Sequence, residues 1–150
     1  MGDLFTSCWL AEFAWAVRES SLKRLRKVPS GKENWRVAPD AMSFADTIRH
    51  LIDVDKWLFK QLEKSIPAMK GEAAVENIKN RDEYDVLLSE FETAGKKREE
   101  LLRNLPNSRF SDIVYDERFG KVTVWWVIVR GNLDHEIHHR GQIAAYLRMV

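Results

Sequence analysis

The chain lacks the features that indicate an oxidising compartment or a membrane. It contains one cysteine, Cys8, among 150 residues, so no disulfide can form within it and a reducing environment fits. No apolar run approaches the ~18–20 residues that span a bilayer. The first residues show neither the basic start nor the cleavage site of a signal peptide. The sequence therefore predicts a cytoplasmic protein that does not enter a membrane.

An excess of charge of one sign is also missing. The 24 basic and 23 acidic side chains nearly cancel, and the formal net charge is +1. A protein that binds nucleic acid through its phosphates needs a basic face. The charge balance therefore predicts that nucleic acid is not a partner.

Four segments carry apolar side chains at three- and four-residue spacing, the pattern of amphipathic helices. They cover residues 4–27, 43–66, 82–105 and 123 to near the C-terminus. Before the last helix, apolar residues flank the triplet Asp116-Glu117-Arg118, which predicts a short β-hairpin or an irregular loop. The expected fold is all-α, a single four-helix-bundle domain over residues 1–150. The connection over residues 67–80 is long enough for a crossover, so simple up-down-up-down topology cannot be assumed.

Several residues within these helices carry more specific expectations. Gly95 and Gly141 cost helix stability relative to alanine, which predicts that another part of the chain approaches each of them closely. Arg98 interrupts the apolar face of the third helix. Its stem is expected to pack while its charge reaches the rim, with an anion-binding arginine beside the site as the alternative. Asp134 and Glu136 are expected to form exposed salt bridges, or else to orient an imidazole.

Histidines are concentrated near the C-terminus, where His135, His138 and His139 lie within five positions. In a helix, residues four apart lie about 40° apart around the axis, so His135 and His139 share a face. His138 points about 60° to the other side of His135, and His139 is therefore the preferred partner. His50 lies at the edge of the apolar stripe of the second helix. Two histidines from one helix and a third from a facing helix predict an open metal site, with positions left for water or substrate.

The motif around these histidines resembles a known signature. Residues 135–148, His-Glu-Ile-His-His-Arg-Gly-Gln-Ile-Ala-Ala-Tyr-Leu-Arg, resemble the C-terminal signature of the DinB/YfiT-like superfamily. Residues 44–51, Phe-Ala-Asp-Thr-Ile-Arg-His-Leu, resemble the first ligand helix of the same superfamily. The resemblance covers essentially the whole chain and includes the short segment before the last helix.

The resemblance implies a four-helix bundle with a divalent metal held by His50, His135 and His139. His138 then corresponds to an extra histidine that is frequent near the site in that superfamily. Members are commonly homodimers. Some are thiol-dependent transferases that use bacillithiol, mycothiol or glutathione, and others are described as metal-dependent hydrolases.

The predicted chemistry follows from the ligands. Three neutral imidazoles leave a bound Zn²⁺, Ni²⁺ or similar ion its full charge, so it can activate a water molecule or a low-molecular-weight thiol. The sequence identifies no catalytic residue, and the candidates are His138, Gln142 and Arg98. The predicted function is a metal-dependent thiol S-transferase or hydrolase that acts on a small molecule. The alternative is a non-catalytic, stress-induced dimeric protein that binds metal.

Overall fold

The structure is a computed structural model that describes residues 3–63 and 75–150, with side chains described from residue 6. Its helices are α1 (Asp3–Leu25), α2 (Phe44–Leu62), α3 (Arg81–Arg103) and α4 (residues 124–147), and β1 (Ile113–Asp116) pairs antiparallel with β2 (Gly120–Thr123) ahead of α4. The prediction of an all-α four-helix bundle with a short hairpin before the last helix is confirmed. Most of the predicted connection over residues 67–80, and the predicted end of the second helix at residue 66, lie outside the described residues.

Local signals explain where the helices begin. Ser43 and Asp46 form the reciprocal capping box at the start of α2 that their spacing predicts. Thr123 caps α4 by accepting a hydrogen bond from the backbone N–H of Trp126 at 3.0 Å. For α3 the sequence predicts a cap at Asp82, just ahead of the apolar pattern, and this prediction is wrong. Asn80 is the cap, because its extended backbone lets its side chain accept from the N–H of Glu83 at 2.9 Å.

The last helix departs from a regular α-helix. It begins with one α-helical turn (Val124–Trp126), widens into a π-helical segment (Val127–Leu133) and continues as an α-helix (Asp134–Leu147). The N–H of Asp134 accordingly donates to the carbonyl of Val129, five residues back. A regular α-helix would place Val124, Ile128 and His135 within about 40° of one line along α4, as the sequence predicts. The wider segment shifts the angular phase between the start of α4 and its histidines, so this alignment does not hold.

The four helices pack around two hydrophobic clusters. One lies near the start of α1 and α4 and the end of α2 and α3, and its members include Ala11, Leu58, Leu102 and Ile128. The other lies at the opposite end and includes Leu22, Ile48, Tyr84 and Ile143. Helices α2 and α3 therefore run in the same direction, opposite to α1 and α4, so the up-down-up-down arrangement does not occur. Each of α1 and α2 packs against both α3 and α4. Among the described helices, none is long and apolar enough to cross a membrane.

A layer of buried charge separates the two hydrophobic clusters. Arg18 of α1 and Arg98 of α3 both bind Glu136 of α4, at 2.9 Å and 2.6 Å, and both bind Asp55 of α2. All four side chains are at most 1% exposed. Asn132 of α4 completes the layer by accepting from Arg98 and donating to Asp55. We refer to these five residues as the buried charge layer.

The layer corrects two expectations. The charge of Arg98 does not reach the rim of the bundle. Two carboxylates neutralise its guanidinium in the interior, and the guanidinium also donates a hydrogen bond to the carbonyl of Ala14. Glu136 is not an exposed partner, because both arginines hold it in the core. Asp134 does form the expected exposed salt bridge, with Arg130.

The surroundings of Gly95 and Gly141 differ. A Cβ atom at Gly95 would lie 2.6 Å from the Cγ atom of Arg18, so the expected close approach is confirmed, with a side chain rather than a backbone. A Cβ atom at Gly141 would meet nothing within 4 Å, and the expectation there is wrong.

Candidate metal centre

Three imidazole rings meet between α2 and α4. The Nε2 atom of His50 lies 2.7 Å from that of His135, and the Nε2 atoms of His135 and His139 are 3.1 Å apart. One nitrogen from each ring can be chosen so that all three lie within 4.8 Å of one another. His139 is buried, and the other two are half-buried. The chain thus brings together the same three histidines that the sequence pattern selects.

The arrangement fits a transition-metal ion. Nitrogen ligands at ~2.0–2.1 Å from a tetrahedral zinc ion lie about 3.3 Å apart. The Nε2 separations of 2.7 Å and 3.1 Å are slightly shorter than this, so small side-chain rotations would make room for an ion. Neutral imidazole is a ligand for several transition metals, and the donor set therefore does not select one of them.

The surroundings keep the imidazoles neutral. Burial lowers the pKa of His50 to about 4, and the neighbouring charges of His139 and Arg118 add to the effect. Burial and the nearby histidines lower the pKa of His135 to about 4 as well. Burial also lowers the pKa of His139, although its contact with Gln142 acts in the opposite direction. Neutral imidazole is the form that binds metal ions, so these three side chains are in the binding form at neutral pH.

Gln142 contacts the site from one turn beyond His139. Its Oε1 atom lies 2.7 Å from Nδ1 of His139. In the tautomer that this contact favours, Nδ1–H donates to the amide oxygen and the Nε2 lone pair faces the other histidines. Gln142 can therefore orient a ligand.

The other two catalytic candidates do not join the cluster in the same way. His138 is exposed, with its ring centre 5.2 Å from that of His139. Arg98 belongs to the buried charge layer, where its recorded hydrogen bonds go to Asp55, Asn132, Glu136 and the Ala14 carbonyl.

The β-hairpin forms a wall against the two helices that supply the histidines. The indole N–H of Trp57 donates to the buried carboxylate of Asp116 at 2.8 Å, and the ring of Phe119 packs against Trp126 at 4.9 Å between centres. Arg118, at the turn of the hairpin, places its guanidinium 5.4 Å from the Trp57 ring and 5.0 Å from the Phe119 ring. Sequence reasoning missed this wall because it depends on contacts between distant parts of the chain.

Trp57 also joins the hairpin to the histidine helix. A Cβ atom at Gly131 would lie 2.5 Å from the Trp57 ring, so the indole packs directly on the α4 backbone one turn before His135. Gly131 lies within the π-helical segment of α4. The close approach explains why a glycine occupies this position.

A separate groove of about 710 Å³ lies between α2 and α3. Its lining includes Ile52, Phe59, Val86 and Lys97 but none of the three histidines. It is therefore not part of the candidate metal centre.

A four-helix bundle with a histidine cluster between its second and last helices defines a class of candidate metal-binding proteins. A family model described as the DinB superfamily matches residues 15–143, and the chain belongs to this superfamily. Comparison with curated protein sequences gives no significant match.

Two solved structures share the fold. The DinB-like protein YjoA from Bacillus subtilis is 17% identical, with a TM-score of 0.72, and the match covers 94% of this chain and 91% of the other. The colibactin self-resistance protein ClbS, in complex with double-stranded DNA, is 12% identical with a TM-score of 0.64, and the match covers 99% and 97% of the two chains. At these identities the likeness concerns the fold alone.

The second structure corrects one expectation. Nucleic acid was excluded as a partner on the basis of balanced charge. That exclusion is wrong, because ClbS has the same fold and is found in complex with double-stranded DNA.

Proposed function

We propose that the chain binds one divalent transition-metal ion through His50, His135 and His139 and uses it in a reaction on a small molecule. The observation that carries this proposal is the convergence of three imidazole nitrogens from two helices within 4.8 Å. A single histidine on a helix is commonly a packed or surface residue. Three rings whose nitrogens meet in this way have a simple explanation in a shared cation.

The residues of the chain would set the properties of that ion. A bound ion would supply Lewis-acid chemistry, lowering the pKa of a thiol or a water molecule that enters the site. Burial keeps the three imidazoles uncharged, so they do not reduce the positive charge at the site. The side-chain oxygen of Gln142 accepts a hydrogen bond from Nδ1–H of His139, so the Nε2 lone pair of His139 remains available for the metal ion.

Thiol S-transfer is the reaction that the neighbouring groups favour. Asp55 and Glu136 are bound by Arg18 and Arg98, and Asp116 by Trp57 and Arg118. These three carboxylates are therefore not free to act as a general base for water. The ion lowers the pKa of either molecule, but a free thiol starts at about 8.5 and free water at about 15.7, so the thiol needs less help from a base to form its reactive anion. Hydrolysis is the second candidate reaction.

Metal content tests the site. Protein purified without a histidine tag, loaded with Zn²⁺ or Ni²⁺ and dialysed, is expected to retain about one ion per chain by inductively coupled plasma mass spectrometry. His50→Ala should lose the ion while remaining folded by circular dichroism. His138→Ala is the matched control, since this exposed neighbour should be dispensable. Full retention of the ion by a folded His50→Ala variant would show that the ligand assignment is wrong.

A reaction screen tests the activity. The loaded protein is incubated with bacillithiol, mycothiol or glutathione and an electrophilic acceptor, and separately with ester and amide substrates. Thiol consumption that depends on the metal supports S-transfer, and metal-dependent hydrolysis without thiol supports the second reaction. Inactivity throughout, with the metal bound, would favour the alternative of a non-catalytic metal-binding protein.

The oligomeric state and the binding of DNA can each be tested directly. The superfamily resemblance predicts a homodimer, which light scattering after size-exclusion chromatography would detect as about twice the 17.5 kDa chain mass. Because ClbS is found with double-stranded DNA, a gel-shift assay at low salt should include a DNA duplex.

A further inference from the structure

The turn of the β-hairpin is anchored by buried polar and aromatic contacts. The Asp116 carboxylate is 1% exposed and accepts hydrogen bonds from the Trp57 indole at 2.8 Å and from the backbone N–H of Arg118, also at 2.8 Å. Phe119, on the other side of Arg118, packs on Trp126 of α4. The hairpin is thus attached to both helices that supply the histidines.

This attachment fixes the position of the Arg118 guanidinium but leaves part of it open. Its Nε atom lies 3.4 Å from Asp116, and its flat face lies over the rings of Trp57 and Phe119. Within the part of the chain that the structure describes, its recorded hydrogen bonds involve only the backbone N–H and Nε, so Nη1 and Nη2 remain available. The side chain is 58% exposed. Two free donors on a planar group match the two oxygens of a carboxylate or similar oxyanion.

Three other arginines, on α1, α3 and α4, are committed to carboxylates. Arg18 and Arg98 are neutralised inside the bundle by Asp55 and Glu136. Arg130, on the exposed side of α4, is paired with Asp134. Arg118 contributes to the electrostatics of the cluster, since its charge is among the causes that lower the pKa of both His50 and His135. Trp57, one of the two rings that the Arg118 guanidinium lies over, packs on α4 one turn before His135.

We propose that Arg118 is the anion-recognising residue of the candidate metal centre and that the ligand of this site carries a carboxylate or another oxyanion near its metal-binding atom. The inference rests on the proposed metal site. A divalent ion with three neutral ligands keeps its full charge, and Arg118 adds a second positive group at a fixed position beside it. A ligand with two anionic ends can satisfy both groups, whereas a neutral ligand of the same size satisfies only the metal.

A pair of small thiols tests the proposal. The protein is loaded with Co²⁺, whose absorption spectrum changes when a thiolate binds. It is then titrated with 3-mercaptopropionate, which is anionic, and with 2-mercaptoethanol, which is neutral and of similar size. Affinities are compared after correction for the thiol pKa of each compound. The wild-type protein is expected to bind the anionic thiol about tenfold more tightly, as a charge-assisted bidentate contact allows.

Substitutions at Arg118 separate recognition from structure. Arg118→Gln should reduce the preference to less than twofold while the affinity for 2-mercaptoethanol stays unchanged, and Arg118→Lys should restore part of the preference. Arg130→Gln is the matched control, because it removes an exposed arginine of α4, and it should keep the full preference. Thermal unfolding of each variant shows whether the hairpin stays in place.

The outcomes distinguish this proposal from the metal site itself. Normal Co²⁺ uptake with equal affinity for the two thiols, or a preference that survives in Arg118→Gln, would overturn the role of Arg118 and leave the metal site standing. Failure of the wild-type chain to take up Co²⁺ would overturn both.

Discussion

The buried charge layer and the histidine cluster are neighbours that use the same two helices in opposite ways. Asp55 and His50 both belong to α2, and Glu136 directly follows His135 on α4. In the layer, two arginines and two carboxylates neutralise one another, and each of the four is at most 1% exposed. In the cluster, three half-buried or buried imidazoles face one another, and none of them forms a salt bridge with a carboxylate of the described residues.

The electrostatics differ in the same way. Burial alone would raise the pKa of Glu136, but the charges of Arg98 and Arg18 lower it, so the carboxylate stays ionised in the core. Burial lowers the pKa of His50 and His135, and no opposite charge offsets the change. The layer is thus complete without a ligand, apart from the buried Nε of Arg98, which has no hydrogen-bond partner among the residues that the structure describes. The cluster would be completed by a cation.

We infer different roles for the buried charge layer and the histidine cluster. Because the layer connects all four helices, it fixes the rotation of α4 about its axis through Glu136 and Asn132. That rotation decides whether His135 and His139 face His50. We therefore expect changes in the layer to affect folding, and changes in the cluster to affect metal binding with little effect on folding.

The largest effect is expected for Arg98→Met. The substitution removes one cation and leaves Asp55 and Glu136 with a single arginine inside the bundle. Removing one partner of a buried ion pair costs about 3–5 kcal/mol. Urea unfolding of the metal-free protein should show this loss, whereas His50→Ala in the same buffer should change the unfolding free energy by less than about 1 kcal/mol.

Lys96→Met serves as the control for that experiment, since this exposed residue of α3 pairs only at the surface, with Glu92 at 3.7 Å. It should fall within about 0.5 kcal/mol of the wild-type protein. Equal losses for Arg98→Met and His50→Ala would show that the two regions do not differ in the way described.

Gly95→Ala and Gly141→Ala test the packing beside the buried charge layer and beside the histidine cluster. A Cβ atom at Gly95 would press on the buried stem of Arg18 at 2.6 Å, so overpacking should destabilise the protein by about 1–3 kcal/mol. At Gly141 a Cβ atom meets nothing within 4 Å, and the better helix propensity of alanine should stabilise by up to about 1 kcal/mol. Thermal unfolding should therefore shift in opposite directions. A shift of the same sign in both variants would contradict the packing around Arg18.

A smaller effect on stability, but a clear one on binding, is expected for Gln142→Ala. The substitution removes the contact that orients His139 and should weaken metal affinity about 10–100-fold, as loss of a hydrogen bond to a ligand does. Competition with a chromophoric chelator measures the affinity. Stability of the metal-free protein should change by less than about 1 kcal/mol, and unchanged metal affinity would rule out the orienting role.

The sequence pattern was sufficient for the helices, the capping box at Ser43 and the histidine trio, because each depends on spacing along one helix. The sequence also contains a signal for the buried charge layer, but this signal is visible only when the helices are compared with one another. Arg18, Asp55 and Arg98 each lie on the apolar stripe of their own helix, between members of the two hydrophobic clusters. Considered one helix at a time, a charge on such a stripe suggests a side chain that reaches the surface. Considered together, two arginines and two carboxylates at the same level suggest a neutral buried group.

Other features had no local signal. The hydrogen bond from Trp57 to Asp116 joins residues 59 positions apart, and it attaches the hairpin that carries Arg118 to α2. The π-helical segment Val127–Leu133 likewise has no marker in its composition. Its position follows from packing, since Trp57 lies against the backbone at Gly131.

The most direct test of the central claim is an anomalous difference map from crystals of the protein loaded with Zn²⁺ and measured at the metal absorption edge. We expect a single peak per chain about 2.0–2.2 Å from one ring nitrogen of each of His50, His135 and His139. A peak elsewhere, or a loaded protein in which the His50 ring points away from the ion, would contradict the account.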